Sequence, residues 1–166
     1  IDLRRLESIE IHAFKEFCDT LDSPYPTNLI DSQFNARFLI AVALLHSDLN
    51  TALRAPDFDC PQLRGLFSRI TVHRDSQCDA RRRVDMSIPT RVVVRLQGEP
   101  SRELFVAEPL GSGRRGIASM EETTQKFRTA LSPLMPEARI QRTIGIVAAL
   151  ERHTAAELMT AAFPQA

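Results

Sequence analysis

The chain has 166 residues and a mass of 18.7 kDa, a length that allows one domain with an ordinary hydrophobic core. Its 43% hydrophobic and 25% charged residues exclude a disordered tail or a collagen-like repeat. The 21 cationic and 21 anionic residues cancel, which argues against a general nucleic-acid binder, and no apolar run is long enough to cross a bilayer.

The first half of the chain changes from a strand pattern to a helix pattern. Residues 6–14 alternate apolar and polar side chains, which predicts a half-buried strand. Residues 22–28 contain two prolines and predict a loop. A helix is predicted over residues 31–45, with Asp31 or Ser32 as its cap. Because this helix is apolar on nearly every side, we expect it to be central and buried.

The middle of the chain is predicted to contain a short helix, a short strand, a loop and a hairpin. A proline at position 61 opens a short helix, and residues 70–73 form a short strand. Residues 74–87 are polar and predict a connecting loop. The β-rich runs at 90–96 and 102–107 are separated by a Gln-Gly-Glu-Pro segment, which predicts a hairpin.

The remainder of the chain is predicted to be helical. Ser119 with Glu122, and Thr154 with Glu157, have the spacing of capping boxes, and Pro136 opens a helix between them. The order of elements indicates an α+β fold with a mostly antiparallel sheet, packed helices and a set of carboxy-terminal helices. We therefore expect an α+β domain over residues 1–118 and carboxy-terminal helices over residues 119–166.

The cysteines and the first residue of the chain bear on its cellular compartment and on whether it is a fragment. Cys18, Cys60 and Cys78 are odd in number and form no C-x-x-C pair, so neither a disulfide framework nor a zinc site is predicted. We expect a cytoplasmic protein. The chain begins at Ile1 rather than at a methionine and has no signal-peptide pattern, which favours a fragment of a longer protein.

The four histidines do not form a recognisable catalytic or metal-binding motif. His12, His46, His73 and His153 lie far apart along the chain, none at the spacing of metal ligands and none in a nucleophile motif. We therefore expect structural or solvated roles for them, and we predict neither a metal site nor a catalytic triad.

Two arginine-containing segments have alternative interpretations. The glycine-rich run at residues 110–116 places Arg114 and Arg115 beside backbone amides that could hold an anion, although a flexible turn is the simpler interpretation. It lacks the spacing of the known phosphate-binding loops. Three consecutive arginines at 81–83 predict a solvated face, because nucleic-acid binding would need stacking aromatic residues that the chain lacks around them.

Three segments form a further pattern, in a fixed order. The first has a proline-threonine pair and then the run DSQFNARFLIAVALL within residues 26–45. The second is LRGLFSRITVHRD at residues 63–75, and the third runs from the predicted hairpin to a lysine-phenylalanine pair over residues 90–127. In this order they resemble the carboxy-terminal part of the MmgE/PrpD family, which includes 2-methylcitrate dehydratase, cis-aconitate decarboxylase and iminodisuccinate epimerase.

The resemblance implies a fold and a reaction class. Family members have a large helical domain and a smaller α+β lid, and this chain resembles the lid plus the helices that return to the helical domain. Their reactions remove a proton next to a carboxylate and lead to dehydration, decarboxylation or epimerisation, with no metal or organic cofactor. The implied partner is a small polycarboxylate substrate. The family's main catalytic histidines, an aspartate and a lysine lie outside this chain.

The resemblance also implies candidate substrate contacts. Gln33 matches the family's helix motif, whereas Asn35 stands in place of the usual serine and Phe38 in place of the usual tyrosine. We take Gln33, Asn35, Arg114 and Arg115 as the candidate substrate-binding residues.

Two functions remain open from the sequence. The first is the carboxy-terminal part of a lyase or isomerase that is inactive alone. The alternative is a non-catalytic oligomerisation or binding module. The apolar positions Ile140, Ile144, Val147, Leu158 and Phe163 would lack cover without a helical domain. We therefore expect these faces to self-associate, giving a homo-oligomer such as a dimer, or to repack onto the sheet.

Overall fold

The computed structural model describes residues 2–46, 52–53, 56–109, 112 and 118–163. The chain divides into an amino-terminal unit, Ile1–Gly116, and a carboxy-terminal unit, Ile117–Ala166. Within the described ranges, no helix is both long enough and apolar enough to span a membrane.

The amino-terminal unit contains a four-stranded mixed sheet. Its strands are β1 (Leu6–Ala13), β2 (Ile70–Arg74), β3 (Thr90–Leu96) and β4 (Arg102–Val106). Their order across the sheet is β2-β1-β3-β4. The β1–β3 and β3–β4 pairs are antiparallel, whereas β1 and β2 run parallel. The predicted α+β fold with a mostly antiparallel sheet is confirmed.

Helices lie between the strands in the order of the chain. The helices described in the amino-terminal unit are α1 (Lys15–Leu21), α2 (Leu29–Gln33), α3 (Ala36–Leu45), α4 (Pro61–Phe67) and α5 (Ser76–Asp85). A short 3-10 helix, Leu3–Arg5, precedes β1. The proline predicted to open α4 occupies its first turn, where the missing N–H costs no helical hydrogen bond.

The single helix predicted over residues 31–45 is two helices in the structure. The side-chain oxygen of Asn35 accepts a hydrogen bond from the backbone N–H of Phe38 (3.0 Å), which makes Asn35 the N-cap of α3. An N-cap residue has extended rather than helical backbone angles, and Asn35 has φ −124° and ψ 104°. Therefore α2 ends at Gln33, and α3 begins at Ala36.

The polar loop predicted over residues 74–87 is wrong, because this segment contains α5. The Asp75 carboxylate caps the helix by accepting hydrogen bonds from the backbone N–H groups of Gln77 (2.8 Å) and Cys78 (3.3 Å). Of the helical residues, Cys78 and Asp79 are the buried ones. A helix with so little buried surface has no apolar stripe for a sequence pattern to detect.

The core of the amino-terminal unit is formed by one face of the sheet together with α3 and α4. Phe38 is fully buried, and its ring lies 5.7 Å from that of Tyr25 and 5.6 Å from that of Phe58, centroid to centroid. The predicted buried helix, α3, buries four residues and leaves Ala43 exposed. The buried core residues come from all of these elements: Leu6, Ile9, Ile11, Ala36, Phe38, Ala41, Val42, Leu63, Leu66, Phe67, Ile70 and Leu96.

The alternation predicted for β1 separates the two faces of the sheet. Ile9, Ile11 and Ala13 are buried on the core face. Glu10 and His12, which alternate with them, are half-buried on the opposite face. Because successive side chains of a strand point to opposite faces, the register partners on β2 and β3 divide between the same two faces. The β3 partner of Glu10, Val93, is itself buried.

The carboxy-terminal unit consists of helices α6 (Met120–Leu131), α7 (Glu137–Ala148) and α8 (Ala155–Ala162), with a 3-10 helix at Leu150–Arg152. Both predicted capping boxes are present, at the starts of α6 and α8. The Arg139 guanidinium links α7 to α8 by donating hydrogen bonds to the carbonyls of Ala161 (2.8 Å) and Thr160 (2.9 Å).

The apolar residues predicted to lack cover in this unit differ in their solvent exposure. Ile140 is fully buried and therefore covered. Ile144 and Leu158 are half-buried. Val147 and Phe163 are 47% and 60% exposed, as expected for apolar side chains without a partner.

Replacing the α5 cap tests how far this polar helix depends on it. Asp75→Ala should lower the free energy of unfolding by about 1 kcal/mol or more, because it removes the acceptor of two backbone N–H groups. Urea denaturation followed by circular dichroism measures the change. Asp75→Asn, which keeps a side-chain oxygen at the cap, should lose less, and equal losses in the two variants would contradict the capping role.

Candidate functional site

The two candidate residues of the α2–α3 segment have different surroundings. Gln33 lies at the end of α2 and is exposed. Asn35 is fully buried, and its amide nitrogen lies within hydrogen-bond distance of Ser23 O (3.1 Å), Ser23 Oγ (2.9 Å) and Pro24 O (2.9 Å). With its oxygen capping α3, the Asn35 amide is used within the fold, where it holds the 22–28 loop against the start of α3.

The position of Phe38 follows from the same arrangement. It lies on the buried side of α3, between the rings of Tyr25 and Phe58. Its ring therefore packs in the core. The other two candidate residues, Arg114 and Arg115, lie outside the described residues, as does most of the glycine-rich run around them.

The face of the sheet opposite the core carries mostly polar side chains, together with Val93 and Phe105, and we call it the polar sheet face. It places Glu10 and His12 of β1 beside Thr71 and His73 of β2, in direct register. On the other side of β1, the register pairs His12 with Arg91 of β3. A depression at one end of this face is lined by His12, Arg74, Asp75, Ser76, Gln77, Arg91 and Glu103.

The arginines of the polar sheet face are held by carboxylates. Arg91 contacts Asp75 at 2.9 Å and Glu103 at 3.5 Å, and Arg95 contacts Glu10. The hydrogen bond from Arg91, with those from the backbone N–H groups at the start of α5, lowers the pKa of the Asp75 carboxyl. These guanidinium groups are therefore neutralised by protein carboxylates, and an anionic ligand would have to compete with them.

Two histidines that are far apart in the sequence meet on the polar sheet face. The ring centroids of His12 and His73 are 5.3 Å apart. His12 Nε2 lies 3.4 Å from Glu10 Oε2, and His73 Nε2 lies 2.8 Å from Thr71 Oγ1. Sequence spacing missed this pair because it arises from strand pairing. The available signal was that each histidine falls on the polar side of a predicted strand.

The comparison with known families agrees with this architecture. The chain matches the family model described as the MmgE/PrpD C-terminal domain over residues 1–152. Since the match covers most of the chain, the chain belongs to the MmgE/PrpD family and corresponds to its carboxy-terminal portion. A search of curated proteins found no match.

The structural role of Asn35 can be separated from any role of Gln33 by substitution. Asn35→Ser keeps a capping oxygen but removes the amide that the Ser23 and Pro24 carbonyls accept from, so unfolding free energy should fall by about 1–3 kcal/mol. The exposed control Gln33→Ala should change it by less than about 0.5 kcal/mol. Denaturant titration measures both, and an unchanged Asn35→Ser would contradict the assigned role.

The pairing of Asp75 with Arg91 predicts sensitivity to acid. The folded chain holds the pKa of Asp75 below the value of about 3.9 expected in the unfolded chain. The unfolded chain therefore takes up a proton first as pH falls, so this contribution to stability is complete above about pH 5 and is lost progressively below about pH 4.

Unfolding free energies measured between pH 3 and pH 7 check this dependence. The difference between wild type and Asp75→Asn should be largest at neutral pH and shrink towards pH 3. Asp59→Asn, at an exposed carboxylate, is the control and should give a small, flat difference. A difference for Asp75→Asn that stays constant across the range would contradict the assignment.

Proposed function

We propose that this chain is the carboxy-terminal part of a cofactor-independent lyase or isomerase of the MmgE/PrpD type that acts on small polycarboxylates. The observation that carries the proposal is the family match over residues 1–152. The reaction would remove a proton next to a carboxylate and proceed to dehydration, decarboxylation or epimerisation. The chain by itself would be inactive and would act as part of a lid.

The geometry of the amino-terminal unit supports a lid role. Proton abstraction beside a carboxylate needs a base at the acidic carbon and cations that stabilise the developing enolate. The guanidinium groups of Arg91 and Arg95 are already paired with carboxylates, and the Asn35 amide is used to cap α3. This arrangement favours a reactive base in another part of the protein, with Gln33, Arg114 and Arg115 as proposed substrate contacts.

Activity assays test this proposal. The chain alone should not turn over cis-aconitate, 2-methylcitrate or iminodisuccinate. The same chain joined to, or mixed with, the amino-terminal part of its gene product should turn over one of them. In that protein, Gln33→Ala or Arg114→Ala should raise KM by about tenfold, equivalent to about 1.4 kcal/mol of binding free energy.

Two results would contradict the proposal. Turnover by the chain alone would place the reactive base within these residues. A full-length protein that turns over none of the polycarboxylates would remove the proposed activity. Product formation followed by nuclear magnetic resonance distinguishes dehydration, decarboxylation and epimerisation in the same experiment.

A second candidate function is a non-catalytic oligomerisation or binding module. It is favoured by the apolar groove of the carboxy-terminal unit, which is lined by Met120, Phe127, Ile144 and Val147 among others. Met120 and Val147 are exposed. This function predicts a homo-oligomer that Val147→Glu dissociates in sedimentation experiments, and no heat of binding when the full-length protein is titrated with polycarboxylates.

A further inference from the structure

The pairing of β1 with β2 creates a histidine pair on the polar sheet face. His12 and His73 are register partners on neighbouring parallel strands, so both side chains lie on the same face. Their ring centroids are 5.3 Å apart, with 32° between the ring planes. We propose that His12 and His73 form a binding site for a divalent transition-metal cation such as Zn²⁺ or Ni²⁺.

The separation of the rings fits a shared metal ion. A metal-bound imidazole nitrogen lies about 2.0–2.1 Å from zinc, which places the ring centroid about 3.2 Å from the metal. Two imidazoles bound at a tetrahedral angle then have centroids about 5.2 Å apart. The observed 5.3 Å requires only small side-chain adjustments.

The Nε2 atoms of the two rings approach a second pair of register partners, Glu10 and Thr71. His12 Nε2 approaches Glu10 Oε2 at 3.4 Å, and His73 Nε2 approaches Thr71 Oγ1 at 2.8 Å. Glu10 and Thr71 are themselves register partners, two residues before the histidines on their strands. Both Nε2 atoms are therefore directed towards one region of the face, which is bordered by a carboxylate oxygen and a hydroxyl.

The electrostatic surroundings are compatible with a cation. Arg91, the β3 partner of His12, is neutralised by Asp75 and Glu103. Glu10, which lies beside His12, is likewise paired with Arg95.

The site is also open to solvent. The side chains of His12 and Glu10 are 18% and 24% exposed. His73 and Thr71 lie at the outer strand β2 and are more exposed, so an ion can enter without opening the core.

The donor set points to a borderline metal. Imidazole ligands suit zinc, nickel or copper rather than magnesium or calcium, which prefer oxygen ligands alone. Within the described part of the chain, no group of three or more His, Cys, Asp or Glu side chains is placed to hold a metal. Two imidazoles would therefore hold the ion, with water in the remaining positions. The proposal does not depend on the proposed enzymatic function.

Calorimetric titration of the purified chain with Ni²⁺ and Zn²⁺, in a buffer that does not bind metals, tests the site. We expect one ion per chain. His12→Gln and His73→Gln should each weaken binding by at least about tenfold, since even loss of a second-shell partner commonly costs this much. His153→Gln removes a histidine of the carboxy-terminal unit beside Glu157 and should leave the affinity unchanged.

A second measurement separates histidine from thiol ligation. The absorption spectrum of the Co²⁺ complex should show ligand-field bands and no thiolate charge-transfer band, and Cys60→Ser should not alter it. Absence of binding, or binding that survives in the double variant His12→Gln/His73→Gln, would overturn the proposal. Circular dichroism of each variant establishes that it is folded. His73→Gln is expected to fold normally because the His73 side chain is exposed.

Discussion

The pairing of β1 with β2 on one side and β3 on the other is the constraint on which the amino-terminal unit depends. Because the three strands are in register, alternate residues of each strand are directed to the same face. Ile9 and Ile11 then join the core, while Glu10 and His12 join the polar sheet face. A slip of one residue would exchange these faces, burying a carboxylate and exposing isoleucines, so the register is strongly determined.

The end of the polar sheet face is held in place by two carboxylates of the β2–α5 connection. Asp75 caps α5 and also binds Arg91 of β3. Asp79, within α5, accepts a hydrogen bond from the backbone N–H of Lys15 (2.7 Å) and one from Arg74 (2.6 Å). The Lys15 N–H, with Arg74, lowers the pKa of the Asp79 carboxyl. A polar helix with little buried apolar surface is thus attached to α1, β2 and β3 by charged hydrogen bonds.

Membership of the MmgE/PrpD family gives this architecture its functional setting. The proposed polycarboxylate chemistry needs unpaired cations and a base, whereas the arginines of the polar sheet face are already neutralised by protein carboxylates. This contrast is consistent with a structural lid. Unlike these arginines, His12 makes only a long contact with the Glu10 carboxylate, and His73 contacts the hydroxyl of Thr71. The histidine pair therefore offers binding chemistry separate from that of the candidate substrate contacts.

Elements with local signals could be predicted from the sequence: the alternation of β1, the hairpin of β3 and β4, and the capping boxes of α6 and α8. Features that need distant partners could be identified only in the folded chain. The helix α5 depends on contacts from Lys15 and Arg91, which no local apolar pattern reports. Asn35 is recognisable as buried only once Ser23 and Pro24 lie beside it. His12 and His73 become neighbours through a parallel strand pair, and pairing between distant segments leaves no trace in linear spacing.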